Sequence, residues 1–230
     1  MPSGLTEILA GRIAAAPVRH DPFAHLYVED VFPAEIFRAM RDRLPGDAAY
    51  VRFKDSGRVG ADYSPHRAAF APAQLGRLEN DARAFWTEIF DAVLAPAFTE
   101  AVAAKFASLL RLAGEARIMT ETCLKRDAAG YELGPHTDSP AKLVSLLFYL
   151  APDRTHPELG TSFYVPKDRT FFCPGGPHHP FELFDRVTTL PYAPNRLLAF
   201  PKTERGFHGV EPVDDPQLVR DLLFVDLRRA

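Results

Sequence analysis

The chain has 230 residues and a formal net charge of −3, with 27 Lys and Arg against 30 Asp and Glu, so no basic surplus points to nucleic acid or anionic lipid. Hydrophobic residues make up 47% and charged residues 25%, the balance of a globular chain with a sizeable core, which excludes global disorder. At roughly 150 residues per domain the length reads as one domain, 1–230, mainly helical over 1–115 and mainly β over 116–230.

The longest apolar stretch, 143–152, is shorter than the ~20 residues a membrane-crossing helix needs, and Ser145 interrupts it. The N-terminus lacks a basic leader and Arg12 breaks the next apolar run, which predicts a cytoplasmic protein. Cys123 and Cys173 are too few for a disulfide scaffold and too far apart for a Cys-x-x-Cys clip, so both are expected as idle, buried thiols.

In chain order, a short strand is expected over 23–28. Three amphipathic helices follow, marked by Ile36, Phe37, Met40 and Leu44 after Pro33, then by Leu75, Leu78, Ala82, Phe85, Ile89 and Val93, then by Phe98, Val102, Phe106 and Leu110. Pro33 suits a first turn, Pro96 separates the second helix from the third, and Gly114 is the expected stop. Phe85 and Trp86 read as core within the stripe. Between the first two helices, the polar and basic segment 50–72, with Arg52, Lys54, Arg58 and Arg67, reads either as a lid or as an ordinary surface loop.

Beyond 115 the period falls to two and the segments shorten: 117–125, 131–136, 142–150, 161–165, 184–190, 196–201, 207–210 and 219–227. Turn signals such as Pro174-Gly175-Gly176-Pro177 and Asp214-Asp215-Pro216 separate them. Many short strands without intervening helices predict an antiparallel sandwich or barrel, for which a jelly roll is one means of closure.

His136-Thr137-Asp138 is the first chemical signal. Residues i and i+2 of a strand share a face, so an imidazole and a carboxylate are presented side by side to one metal. His208, in Gly206-Phe207-His208-Gly209-Val210, is the candidate third ligand, with small residues that leave room beside the ring. Two His and one carboxylate leave three coordination positions open, which suits a non-haem Fe(II) holding a co-substrate and O2 better than a closed zinc shell. Arg220 opens a strand on which Leu222 and Phe224 share its face. A guanidinium there calls for a carboxylate, either from a dicarboxylate ligand or from Asp221 or Glu211 at the strand end.

Gly130-Tyr131-Glu132-Leu133-Gly134-Pro135-His136-Thr137-Asp138, the strand 144–150, Leu159-Gly160-Thr161, the strand 195–201, Phe207-His208-Gly209-Val210 and Arg220 stand in a fixed order. This ordered set, over 117–227, resembles the 2-oxoglutarate- and Fe(II)-dependent dioxygenases, above all their prolyl-hydroxylase-like branch. The resemblance implies a double-stranded β-helix, a cupin-like jelly roll, with the N-terminal helices packed on its sheet. It implies iron on His136, Asp138 and His208, and Arg220 on the distal carboxylate of 2-oxoglutarate. Tyr149 is implied as a hydroxyl donor to that carboxylate, against a plain reading as core tyrosine. The activity implied is O2-dependent hydroxylation with release of succinate and CO2. A silent cupin-like binding module and an O2-independent metal enzyme are the alternatives on the same barrel.

Other features rank lower. His178 and His179, adjacent on an extended chain, point oppositely and so make a poor metal pair. Lys125, Arg126 and Tyr131 flank the site and read either as substrate contacts or as solvated cations and a sheet-edge aromatic. The chain's size and its lack of an obvious peptide-docking extension favour a small-molecule substrate.

Overall fold

The computed structural model describes residues 4–57, 63–110 and 117–230. Arg58 and the helix stop expected at Gly114 lie outside them. No helix among the described residues is long and apolar enough to cross a membrane.

The helices come first. α1 (Leu5–Ala15) is not anticipated by the sequence reading, although Leu5, Leu9 and Ile13 recur at helical spacing and are buried. β1 (Leu26–Glu29) precedes α2 (Ala34–Asp42), whose buried residues include Ile36 and Met40. The single helix expected from Leu75 to Val93 is two elements, a 3-10 helix (Pro72–Arg77) and α3 (Asn80–Leu94). Leu75 and Leu78 stand three apart, the repeat of the tighter helix, and Leu78 itself is extended. α4 (Pro96–Lys105) ends at Phe106, and the short α5 (Ala107–Leu110) resumes after it. Trp86 is fully buried, as expected of core, and its Nε1 donates to the Arg43 carbonyl at 2.6 Å.

Segment 50–72 is in part sheet edge. β2 (Val51–Arg52) pairs with β3 (Arg67–Phe70), and β3 pairs in turn with β4 (Ile118–Asp127). The remaining strands fall where the alternation predicts: β5 (Leu133–His136), β6 (Lys142–Tyr149), β7 (Thr161–Pro166), β8 (Phe184–Leu190), β9 (Arg196–Pro201), β10 (His208–Val210) and β11 (Arg220–Arg229).

They form two antiparallel sheets. One runs β1-β9-β6-β11-β4-β3-β2, the other β5-β10-β7-β8. Alternate residues of the larger sheet serve two cores. Leu146, Phe148, Leu197, Ala199, Leu223 and Val225 join the helices, while Leu147, Tyr149, Leu198, Phe200, Leu222 and Phe224 join Phe163 and Val210 of the smaller sheet. Both faces of β6, β9 and β11 are therefore covered, and their side chains are buried almost without interruption. The inward face of the larger sheet, opposed by β5, β10 and β7, carries the polar residues described next.

Candidate metal centre and anion pocket

His136 ends β5 and His208 begins β10, and the two are register partners. Their rings lie 4.4 Å apart between centroids. Gly209 permits this approach, since a Cβ there would stand 2.4 Å from the Leu133 carbonyl oxygen. Gly209 thus serves backbone packing, while a Cβ at Gly206 would meet the Thr203 hydroxyl and the Phe23 ring.

Each imidazole is oriented by its own chain. Nδ1 of His136 lies 3.0 Å from the Gly134 carbonyl and Nδ1 of His208 lies 3.0 Å from that of Gly206. A carbonyl oxygen only accepts, so Nδ1 carries the hydrogen and the Nε2 lone pair is left for a metal. Burial, together with the proximity of the two rings, holds His136 well below the usual histidine value, and burial also lowers His208.

Asp138 lies just past the strand, in the turn before β6. Thr137 pins this turn by donating to the Cys173 carbonyl at 2.9 Å. Gly175 packs against it at φ +131°, where a Cβ would meet the Asp138 carbonyl oxygen at 2.4 Å. Lys142 Nζ donates to Asp138 Oδ1 at 2.8 Å and Ser145 Oγ to Oδ2 at 2.7 Å. Burial alone would raise this carboxyl, but Lys142 and the two histidines outweigh it, so Asp138 is ionised. One ligand atom from each of His136, Asp138 and His208 lies within 4.8 Å of the others, and all three residues are buried. Two neutral imidazoles and one carboxylate so placed fit a divalent metal with open coordination positions.

These residues line a cavity of about 370 Å³ together with Arg67, Lys125, Leu133, Leu147, Thr161, Val210, Arg220 and Phe224. Arg220 is fully buried. Its partner is neither Asp221 nor Glu211 but Asp127, at 2.7 Å, and it also donates to the Leu159 carbonyl and, at 3.3 Å, to Thr161 Oγ1. Asp221 is held by Arg126, and Glu211 by Tyr164 and Arg186.

Asp127 is shared. Arg67 donates to both of its oxygens, at 2.6 and 2.8 Å, so two guanidiniums surround one carboxylate and one positive charge is left over. Tyr149 stands behind Thr161, giving its hydroxyl hydrogen to Thr161 Oγ1 at 2.9 Å and accepting from the Thr161 N–H at 3.1 Å. It reaches the cavity through Thr161.

Asp127 and Thr161 are site components that the sequence does not single out, and Arg67, one of the cations of the possible lid 50–72, is a third component, whose buried role on Asp127 is not expected from the sequence. The three residues that flank the site, Lys125, Arg126 and Tyr131, depart from the reading as solvated cations and a sheet-edge aromatic. Tyr131 is wholly buried beneath the Arg67 guanidinium, 4.2 Å above its ring, and is no sheet-edge aromatic. Lys125 is buried in the cavity wall, while Arg126, on the opposite face of β4, pairs with Asp221 and Asp47. The adjacent histidines do diverge: His178 lies 4.7 Å from the His136 ring, and His179 packs against Phe171 and Phe184.

No family model and no curated protein matches the sequence. Solved structures do match. The non-haem α-ketoglutarate-dependent epimerase SnoN of nogalamycin biosynthesis superposes with a TM-score of 0.54 at 17% identity, over 98% of this chain and 83% of that one. SnoN has also been solved in complex with Fe3+, α-ketoglutarate and nogalamycin RO. A prolyl hydroxylase from Trichoplax adhaerens, in complex with a peptide fragment of hypoxia inducible factor, gives a TM-score of 0.53 at 12% identity, over 98% and 89%. An oxidoreductase of the 2OG-Fe(II) oxygenase family from Burkholderia pseudomallei gives 0.51 at 14%, over 100% and 93%. The chain has the fold of the 2-oxoglutarate- and Fe(II)-dependent oxygenases, prolyl hydroxylases among them, the same group that its sequence resembles.

Proposed function

We propose that the protein is a 2-oxoglutarate- and Fe(II)-dependent oxygenase that hydroxylates a small molecule and releases succinate and CO2, its two sheets forming a double-stranded β-helix. One observation carries this reading: an open two-histidine, one-carboxylate set shares a single cavity with a buried arginine pair that has one carboxylate too few.

His136 and His208 hold the metal through Nε2, and Asp138 completes the set. When bound, Fe(II) supplies the redox chemistry by which the keto acid and O2 are converted and one oxygen atom enters a C–H bond. Arg220 and Thr161 receive the distal carboxylate of 2-oxoglutarate, and Tyr149 fixes the Thr161 hydroxyl. Leu133, Leu147, Val210 and Phe224 exclude water between the two ends and strengthen each charged contact. A cavity of about 370 Å³ is in the range that small ligands fill, which supports a small molecule over a protein side chain.

The test is direct. Anaerobic addition of Fe(II) and 2-oxoglutarate is expected to give a weak visible charge-transfer band. With O2, a screen of amino acids, sugar nucleotides and peptides is expected to give succinate and a product heavier by one oxygen. No band and no succinate above background would overturn the reading.

A further inference from the structure

We infer that Lys125 is the anchor for an anionic group, a carboxylate or a phosphate, on the primary substrate. The inference rests on the oxygenase reading and names the substrate class for that same cavity.

Lys125 lies on the inward face of β4, opposite Leu222 of β11 and Ala69 of β3, and is 7% exposed. Its ammonium stands 3.3 Å from the centroid of the Phe224 ring and 5.3 Å from that of Phe53. Among the described residues it makes no hydrogen bond and no ion pair, although it lines the cavity. A buried lysine without an acceptor is costly, and aromatic faces replace only part of its lost hydration.

The charges around it are otherwise balanced. At the metal end Lys142 meets both Asp138 and Asp226, at 2.8 and 3.2 Å. Asp138 and one carboxylate of the keto acid offset a divalent ion, and Asp226 offsets Lys142. At the far end Asp127 and the distal carboxylate offset Arg67 and Arg220. Near the rim Arg228 faces Glu121 at 3.7 Å. With metal and keto acid in place, Lys125 is, among the described residues, the lining cation left without an opposite charge, and it sits over Phe224. A substrate that seats an anion there removes this imbalance; a neutral one does not. Burial and the Arg67 charge lower the ammonium to about 8, so an anion at Lys125 also restores its full protonation.

The experiment reads Lys125 directly. Protein with 13C-labelled lysine, loaded with Zn(II), is titrated with pH in the absence and presence of 2-oxoglutarate, inorganic phosphate or acetate. The Lys125 resonance is identified by its loss in Lys125→Met. The keto acid is expected to raise its midpoint only slightly, by offsetting the Arg67 charge, whereas phosphate or acetate raises it by about one pH unit or more. Lys125→Met is expected to change 2-oxoglutarate affinity less than twofold, and Lys125→Arg to retain phosphate binding. In the succinate screen, acids are expected to act as substrates where their matched amides do not.

Failure of both phosphate and acetate to move the midpoint overturns the proposal. So does a midpoint raised as far by 2-oxoglutarate itself with tenfold weaker keto-acid binding in Lys125→Met, which assigns Lys125 to the co-substrate. If the keto acid binds neither protein, the oxygenase reading fails, while the anion titration of ligand-free protein still decides the role of Lys125.

Discussion

Arg220 and Asp127 face each other across β11 and β4 at 2.7 Å with neither side chain exposed, and Arg67 shares the same carboxylate from β3. Removing Asp127 leaves two guanidiniums buried without a counter-charge. Asp127→Ala is expected to destabilise the protein by about 3–5 kcal/mol in urea unfolding, the cost typical of a broken buried pair. Arg67→Met is expected to cost less, because Arg220 still meets Asp127. Burial alone would raise the Asp127 carboxyl, but the two arginines and their hydrogen bonds outweigh it and lower it. A lowered carboxyl stabilises above its unfolded pKa of about 4 and loses that contribution as pH falls through and below it. Wild type should therefore weaken in acid more steeply than Asp127→Ala.

The metal set makes a separate prediction. Ser145 Oγ holds one oxygen of Asp138 at 2.7 Å, and the serine touches no metal ligand atom other than through this carboxylate. Ser145→Ala is expected to weaken Fe(II) or Zn(II) binding by about 10–100-fold, the range seen when a ligand loses its outer partner. His136→Ala and Asp138→Ala should abolish binding. Competition with a chelator measures all three, and circular dichroism checks that the fold survives.

Much of this was legible in the sequence, and the residues that were not share a cause. The strands from β4 to β11 were legible as short, strongly apolar runs punctuated by turn residues, because β6, β9 and β11 send alternate side chains into two cores and are buried on both faces. The ligand set was readable because His136 and Asp138 are close in sequence and His208 follows in a recognisable glycine setting. Arg67 and Asp127 lie 60 positions apart and meet only because β3 pairs with β4, so no local pattern links them. Arg67 also sits in a polar segment whose short strands carry little hydrophobic signal. α1 was hidden because Arg12 interrupts its stripe and Gly4 gives no side-chain cap. For Lys125, the cation's chemistry favoured solvent, and only the tertiary fold buries it.

The keto-acid anchor can be dissected by graded variants. Arg220→Ala removes a buried charge-assisted contact of ~1.5–3 kcal/mol, so 2-oxoglutarate affinity should fall about 10–100-fold. Tyr149→Phe leaves Arg220 in place and removes the hydroxyl that orients Thr161 Oγ1 at 2.9 Å and accepts from the Thr161 N–H at 3.1 Å. A neutral hydrogen bond of ~0.5–1.5 kcal/mol predicts a loss of roughly 2- to 12-fold. Thr161→Val should exceed Tyr149→Phe. Titration of the Fe(II) charge-transfer band ranks the three, and equal losses for Arg220→Ala and Tyr149→Phe would contradict the order.

Lys125 should leave its mark on stability without any ligand. Its folded value of about 8 lies below the ordinary 10.5, so the folded protein binds fewer protons than the unfolded chain between those two values. Below pH 8 both states carry the proton, and the folded state bears the full cost of a buried ammonium; above 10.5 both are neutral and the cost is gone. The shift corresponds to about 3 kcal/mol at 1.36 kcal/mol per pH unit, an upper figure because Lys125 keeps some exposure in the folded chain. Lys125→Met is therefore expected to be more stable than wild type at pH 7 by up to about 3 kcal/mol. The difference should shrink steadily from pH 8 and vanish above 10.5. Saturating phosphate should reduce it at pH 7 by stabilising wild type alone, and urea unfolding at several pH values measures each of these quantities.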